Sequence, residues 1–198
     1  ERGALMRADA AVSNALQHLR TDPTDAIFLV ATLLGDTMVA AALSLTVIGY
    51  LIWRRAFRLA AGLGAVMVGC ALFVPLAKLT LHISRPTPLY TGFDAFSFPS
   101  GHATAAAAFY GLLSWLFLRL PRTRLRPVAL LLCAAALVLI PISRVYLADH
   151  WPSDVAAGML VGLSLTFVCA LVFRRAEMDG LSTTGLLVVV LAGLASVG

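Results

Sequence analysis

Long apolar runs separated by short polar segments dominate the chain and predict helices that cross a membrane. Such a helix needs about 20 apolar residues to cross a hydrocarbon core ~30 Å thick. Five runs are close to this length: residues 38–53, 59–82, 101–120, 128–142 and 152–173. The fourth is the shortest, and we expect it to extend into its flanks. The pattern therefore predicts an all-α fold, a multi-span transmembrane helical bundle with five full spans.

The segments around these runs are shorter or more polar. Residues 4–20 place apolar side chains at three- and four-residue spacing, which predicts an N-terminal amphipathic helix in the membrane interface. Residues 26–34 are too few to span, and we expect a shallow or re-entrant helix there, with Asp36 near the cap of the first span. A final run, residues 186–197, predicts an incomplete sixth span.

The composition changes after residue 175 and predicts two parts. Residues 1–175 form the membrane domain, and residues 176–198 form a linker and the start of a further transmembrane segment. The chain begins at Glu1 without a methionine and ends at Gly198 inside an apolar run. We therefore expect it to be part of a longer protein, fused to or associated with another membrane domain.

Composition and charge support a membrane protein. Charged residues are 13% of the chain, against roughly 25% in soluble domains, and AVILMFWYC residues reach 60%. The net charge of +5 does not indicate nucleic-acid binding, because nine of the 15 basic residues flank the apolar runs. These nine are Arg54, Arg55, Arg58, Arg119, Arg122, Arg124, Arg126, Arg174 and Arg175. If the spans alternate, all nine share one face, which the positive-inside rule makes cytoplasmic.

Three polar clusters interrupt the apolar pattern, each at the end of a run. They are Lys78-x6-Arg85-Pro86, Pro99-Ser100-Gly101-His102 and Ser143-Arg144-x5-His150-x3-Asp154. Alternation of the spans puts all three clusters on the face opposite the arginines. Charged groups at the rims of membrane helices are costly, so we interpret the clusters as one phosphate-handling site. We expect a multi-pass plasma membrane protein, in a bacterium the inner membrane, whose site faces the periplasm or the outside.

The first two clusters carry groups that bind anions. Lys78, the only lysine, offers a compact ammonium, and Arg85 offers a fork that can grip a phosphate through two parallel hydrogen bonds. Ser100 is a favoured helix cap, and Gly101 allows a ligand to approach free amides at the positive end of a helix. Alone, the first cluster would also suit interfacial cations, and the second a plain capped helix.

The third cluster predicts a nucleophile. Asp154 follows His150 by four residues at a helix start, so its carboxylate can accept a hydrogen bond from one ring nitrogen and leave the other free to attack. Arg144 can neutralise charge on a phosphoryl group in transfer. A capped helix with an interfacial histidine is the alternative interpretation.

Together the three clusters resemble the motifs of the type 2 phosphatidic acid phosphatase superfamily and match them without a substitution. The resemblance covers residues 22–175. It implies a metal-independent phosphatase without a cofactor, in which His150 is the nucleophile, Asp154 orients it and His102 protonates the leaving oxygen. It also implies that the phosphate oxygens are held by Lys78, Arg85, Arg144 and the amides of Ser100 and Gly101. Members commonly have six spans, one before the interfacial segment, and no such run precedes residue 4.

The resemblance implies an integral membrane enzyme that removes phosphate from a lipid phosphate or diphosphate at the outer leaflet. Polyprenyl diphosphate, such as undecaprenyl diphosphate, is the leading candidate, followed by phosphatidic acid and phosphatidylglycerol phosphate. The expected partners are the phosphorylated lipid and membrane lipid, and no nucleic acid. Two alternatives stay open: a lipid phosphotransferase using the same phosphohistidine, and a non-catalytic carrier that only binds phospholipid.

Overall fold

The computed structural model describes residues 2–87, 91 and 95–196, and in this part the chain is helical without a β-strand. The helices are α1 (Arg2–Gln17), α2 (Asp22–Leu33), α3 (Thr37–Trp53), α4 (Phe57–Leu81), α5 (Gly101–Arg119), α6 (Arg126–Tyr146), α7 (Pro152–Val172) and α8 (Thr183–Ala195). The predicted all-α bundle is thus confirmed.

Four helices, α4 to α7, are long and apolar enough to cross a membrane. Each follows a predicted span closely, and α6 extends into both flanks of the predicted run as expected. The first predicted span differs, because α3 has only 17 residues. It reaches spanning length only together with α2, to which it is joined at a bend of 48°. The predicted shallow or re-entrant helix is thus α2, one arm of a bent pair whose length and composition fit a broken span or a re-entrant segment.

The bend between α2 and α3 has a local cause. Asp36 caps α3, its Oδ1 accepting a hydrogen bond from the Met38 amide at 2.8 Å, as the sequence predicts. The preceding Gly35 lies directly against the Ile140 side chain of α6, leaving no room for a side chain of its own. This close approach of α2 to α6 matters below, because α6 carries one of the predicted phosphate-binding arginines.

α5 is the central helix, and α6 and α7 pack against it. Its middle is buried almost completely, from Ala106 to Leu113. α7 approaches it through Gly158 and Gly162, where an added Cβ would meet the backbone of α5. Small residues at such a contact let two helices lie close together in a membrane. The large apolar side chains exposed on the outer helices are those expected to face lipid.

The two ends of the bundle differ in charge. At one end, Arg119 of α5 donates hydrogen bonds to the carbonyl oxygens of Phe173 and Ala176, at 3.1 and 2.8 Å, just beyond α7. A cavity of about 390 Å³ at this end is lined by four arginines, from the α3–α4 turn, the start of α4 and the segment after α7, and by two acids: Arg54, Arg55, Arg58, Arg175, Glu177 and Asp179. The predicted phosphate-handling clusters lie at the helix ends opposite.

The segment after residue 175 packs against α3. Leu186 of α8 is fully buried, and the Ser182 amide donates to the Tyr50 hydroxyl at 3.3 Å. α8 has 13 residues, fewer than a span needs. The predicted boundary at residue 175 stays a prediction.

Candidate active site

The three clusters meet around one cavity of about 470 Å³ at the less basic end of the bundle. The predicted residues that line it are Lys78, Arg85, Gly101, His102, Arg144 and His150. They come from the end of α4 and the loop after it, the start of α5, the end of α6 and the loop before α7. Alternation of the spans brings these helix ends together, as the sequence predicts.

The segment between α6 and α7 holds His150 by a tight turn on the end of α6. Ala148 has a left-handed backbone, with φ of 58°. The turn directs the amides of Asp149 and His150 back to the carbonyl oxygen of Arg144, at 3.1 and 3.2 Å. These bonds use a carbonyl that the end of the helix leaves without a partner, and so they fix His150 close to Arg144.

The two ring nitrogens of His150 face groups of opposite charge. Nε2 lies 3.2 Å from Nη1 of Arg85, and Nδ1 lies 3.6 Å from Oδ2 of Asp154. A guanidinium can only donate hydrogen bonds, so this contact requires a lone pair on Nε2. The neutral ring therefore carries its proton on Nδ1, toward the carboxylate. Nε2 thus keeps its lone pair on the side of the ring that faces the cavity.

His150 and Asp154 are almost completely buried, at 2% and 1% exposure. Burial lowers the pKa of His150, and the charges of Arg85 and Arg144 lower it further, while Asp154 opposes the change. The Asp154 carboxylate is fixed by its own helix, because Oδ2 accepts a hydrogen bond from the Trp151 amide at 2.9 Å. Burial and these contacts thus favour the neutral imidazole and fix its orientation.

Arg144 is held by two residues that the sequence analysis did not assign. Its Nη2 lies 2.7 Å from Oδ2 of Asp149, and its Nη1 donates to the Thr32 hydroxyl at 2.5 Å. Thr32 belongs to α2, on the arm that the bend at Gly35 brings against α6. No local pattern connects residues 32 and 144, so the sequence carried no signal for this contact. For Asp149, the only indication in the sequence was its position in a loop, five residues after Arg144.

Ser100 and Gly101 take different positions at the start of α5. Ser100 caps the helix as predicted, with Oγ accepting from the Ala103 amide at 3.5 Å. Its own amide, however, donates to the carbonyl oxygen of Asp154 at 3.0 Å, and the residue is completely buried. This amide is therefore already bonded to α7, and the predicted role of Ser100 in holding phosphate stays a prediction. Gly101 and His102 line the cavity.

Arg85 reaches the site from the loop after α4. Its Nη1 also donates to the Asp149 carbonyl oxygen at 2.8 Å, so one nitrogen contacts both the loop backbone and the imidazole. Ser97 stabilises this loop, because its amide donates a hydrogen bond to the Ile83 carbonyl oxygen at 2.7 Å. Residues 88–90 and 92–94 of this loop lie outside the described residues.

The rest of the cavity wall is apolar. It continues from the charged groups down between α3, α4 and α5, along Ala40, Ala41, Met67, Cys70, Ala71, Val74, Pro75 and Ala105. A cavity with cations at one end and aliphatic walls at the other fits an amphipathic molecule. Its charged end can receive a phosphate and its apolar part a hydrocarbon chain.

Comparison with known proteins agrees with the three clusters. A sequence model of the PAP2 superfamily matches residues 80–178, which include every predicted site residue except Lys78. The chain is 40% identical over 87 residues to the lipid A 1-phosphatase of Rhizobium johnstonii, covering 43% of this chain and 32% of that protein. It is 33% identical over 138 residues to the lipid A 1-phosphatase of Rhizobium etli, covering 64% and 53%. The chain thus spans about a third to a half of the length of these relatives.

A solved structure is similar over most of the chain. It is the crystal structure of a transmembrane PAP2-type phosphatidylglycerolphosphate phosphatase from Bacillus subtilis. The TM-score is 0.75 with 26% sequence identity, and the alignment covers 89% of each chain. The similarity therefore extends well beyond the residues around the cavity.

Proposed function

The chain belongs to the PAP2 superfamily, and we propose that it is an integral membrane lipid phosphatase that hydrolyses a lipid phosphate or diphosphate through a phosphohistidine. The observation that carries the proposal is the setting of His150. Its Nε2 faces Arg85 in a cavity that Lys78, His102 and Arg144 also line, while its Nδ1 faces Asp154. A neutral imidazole beside several cations suits attack on a phosphoryl group.

In the first step Nε2 of His150 attacks phosphorus and the bond from phosphorus to the lipid oxygen breaks. His102 gives its proton to that oxygen, and the dephosphorylated lipid leaves. Lys78, Arg85 and Arg144 neutralise the charge on the remaining phosphoryl oxygens. Asp154 stabilises the forming phosphohistidine, because its carboxylate lies 3.6 Å from Nδ1 and can accept a hydrogen bond from Nδ1–H as positive charge develops on the ring.

In the second step a water molecule attacks the phosphohistidine. The phosphorus–nitrogen bond breaks, inorganic phosphate leaves and Nε2 regains its lone pair. His102, now neutral, can take the proton of the attacking water, a role worth roughly 10²–10⁴ in rate for general acid–base groups. Every proton and leaving group in this cycle is handled by residues of the chain, so we propose that no metal ion or other cofactor takes part.

We propose a lipid substrate because the cavity continues from its cationic end along aliphatic side chains. The relatives are named for lipid A 1-phosphate and phosphatidylglycerolphosphate, which share a phosphate group on a large apolar anchor. These two lipids join polyprenyl diphosphate and phosphatidic acid as candidates. All four present the same chemistry to His150 and differ in the leaving group that His102 would protonate.

We further propose that the site faces the periplasm or the outside of the cell. The nine arginines that flank the spans belong to the helix ends opposite the cavity, and basic loops favour the cytoplasmic face. A reporter enzyme inserted after Arg126 should be active only in the cytoplasm. A reporter active in the periplasm at this position would reverse the orientation.

The proposed function is tested on purified chain in mixed micelles with the four lipids. Phosphate release is expected from at least one of them and should vanish in His150→Ala, while that variant still binds the lipid. Acid-labile label trapped on His150 would separate an enzyme from a non-catalytic carrier. Products made with an added acceptor alcohol would separate hydrolysis from phosphotransfer. Equal phosphate release by the native chain and by His150→Ala would refute the proposal.

A further inference from the structure

Asp9 of the interfacial helix α1 is a buried carboxylate that contacts the first turn of α7. Its Oδ1 accepts a hydrogen bond from the Ser153 amide at 2.9 Å, and its Oδ2 accepts one from the Ser153 hydroxyl at 2.7 Å. Asp9 is only 8% exposed. The first amides of a helix lack partners within the helix and carry positive partial charge. Asp9 therefore caps α7 from a distant part of the chain.

The same helix also holds the end of α6. Gln17 donates from Nε2 to the carbonyl oxygen of Tyr146 at 2.8 Å, one of the carbonyls that a helix end leaves without an internal partner. Between the two polar contacts, Leu16 packs against a small apolar cluster of Ala103, Val145 and Val155. α1 is thus joined to α6 and α7 at the points where both helices meet the 147–151 segment.

This arrangement bears directly on the nucleophile, because residues 147–151 carry His150 and the next turn carries Asp154. Ser153, the residue that Asp9 holds, is the direct neighbour of Asp154. We propose that Asp9 is a positioning residue: it fixes the first turn of α7 and thereby keeps the Asp154 carboxylate aimed at Nδ1 of His150. Asp9 acts through Ser153 and does not line the cavity with the predicted phosphate-binding residues.

The expected cost follows from the geometry of attack. Without Asp9 the first turn of α7 loses a charged cap and two hydrogen bonds, and the distance from Asp154 to His150 becomes variable. A misplacement of about 1 Å at a catalytic group costs on the order of 10²-fold in rate. We therefore expect Asp9→Ala to lower kcat by roughly 10- to 100-fold with KM changed less than about twofold, because the phosphate-binding cations stay in place.

Two further variants make the test specific. Asp9→Asn keeps an oxygen for the Ser153 amide and offers an amide donor to the Ser153 hydroxyl, so it should recover most of the lost kcat. Asn14→Ala changes an exposed polar residue of the same helix and should leave kcat unchanged. A kcat for Asp9→Ala equal to that of Asn14→Ala, or no recovery in Asp9→Asn, would overturn the inference.

The inference rests on the proposed function, and amide hydrogen exchange separates the two. Measured on the full chain in detergent, Asp9→Ala should speed exchange at residues 149–155 and leave the α3–α8 contact protected, whereas Asn14→Ala should change neither. Unchanged exchange at residues 149–155 would refute the positioning role even if no lipid is hydrolysed. Faster exchange there in a chain without phosphatase activity would refute the proposed function and support the contact.

Discussion

Nη1 of Arg85 lies 3.2 Å from Nε2 of His150, the ring nitrogen that does not face Asp154. A permanent cation at this position marks where a phosphoryl oxygen would sit during attack. It also keeps Nε2 unprotonated, because two donors cannot share one hydrogen bond. The contact thus favours one tautomer of His150, the proposed nucleophile, and places a cation beside its Nε2.

The first prediction concerns the shape of Arg85. Arg85→Lys keeps the charge but loses the rigid guanidinium, whose Nη1 contacts both the Asp149 carbonyl oxygen and the imidazole. We expect kcat/KM to fall by roughly 10- to 100-fold, and by about 10²–10³ in Arg85→Ala, the range for loss of one preorganised donor. Steady-state phosphate release in mixed micelles measures this. Arg122→Lys, in the exposed loop at the other end, is the matched control, and equal activities in the two lysine variants would contradict the assignment.

The second prediction concerns pH. Attack requires neutral His150, and burial together with Arg85 and Arg144 lowers the pKa of this group from its usual 6.5. Protonation therefore removes the nucleophile only at a pH below 6.5, so the acid limb of kcat/KM should lie below that value. Arg85→Gln removes one of the cations that lower the pKa, so the limb should move toward higher pH.

The pH profile is compared between native chain and Arg85→Gln on the same lipid, because ionisation of the substrate then cancels. An acid limb that is unchanged or moves to lower pH in the variant would contradict the assignment of His150 as the nucleophile beside Arg85.

The third prediction concerns Thr32, which accepts a hydrogen bond from Arg144. Thr32→Val keeps the shape of the side chain and removes the acceptor, leaving Arg144 with only Asp149 to fix its direction. A hydrogen bond to a charged group contributes about 1.5–3 kcal/mol, so a loss of kcat/KM of roughly 10- to 150-fold is expected. Thr46→Val is the control, since its hydroxyl bonds only to the carbonyl of Leu43 in its own helix. If both variants keep full activity, Arg144 does not depend on α2.

These residues mark the limit of what the sequence could predict. Alternation of apolar runs sufficed to bring Lys78, His102 and His150 to one end, because helix direction alone decides that. The pattern of apolar runs could not identify Thr32 or Asp9, because their roles depend on which helices are in contact and at which level along the helix axes. The same limit applies to the Ser100 amide: a free amide at a helix start is the usual expectation, and only the packing of α7 supplies its acceptor.

The fourth prediction concerns vanadate and chelators. Vanadate takes the five-coordinate shape of a phosphoryl group in transfer, so it should compete with the lipid for the cations around His150. Chelators should leave the rate unchanged, since the proposed nucleophile is an imidazole and the neutralising charges belong to lysine and arginine. The inhibition constant of vanadate tests the first point, and rates measured before and after chelation test the second. Loss of activity on chelation, restored by one divalent metal, would contradict this mechanism.

The last prediction concerns the packing of α7 against α5, which holds the segment with His150 and Asp154 against the start of α5. Gly162 of α7 lies against α5 so closely that an added Cβ would stand 2.9 Å from the Ala108 amide nitrogen and still closer to the Thr104 carbonyl oxygen. Backbone atoms cannot move aside as a flexible side chain can, so Gly162→Ala should separate α7 from α5 and cost about 1–3 kcal/mol of folding free energy. Gly49→Ala is the control, because no described atom lies within 4 Å of the added methyl group and alanine is the better helix former. Thermal unfolding in detergent should therefore show a lower midpoint for Gly162→Ala and an equal or higher one for Gly49→Ala. The reverse order would mean that α5 and α7 do not meet at this glycine. The contact from the Ser100 amide to the Asp154 carbonyl oxygen depends on the same packing and would then lack support.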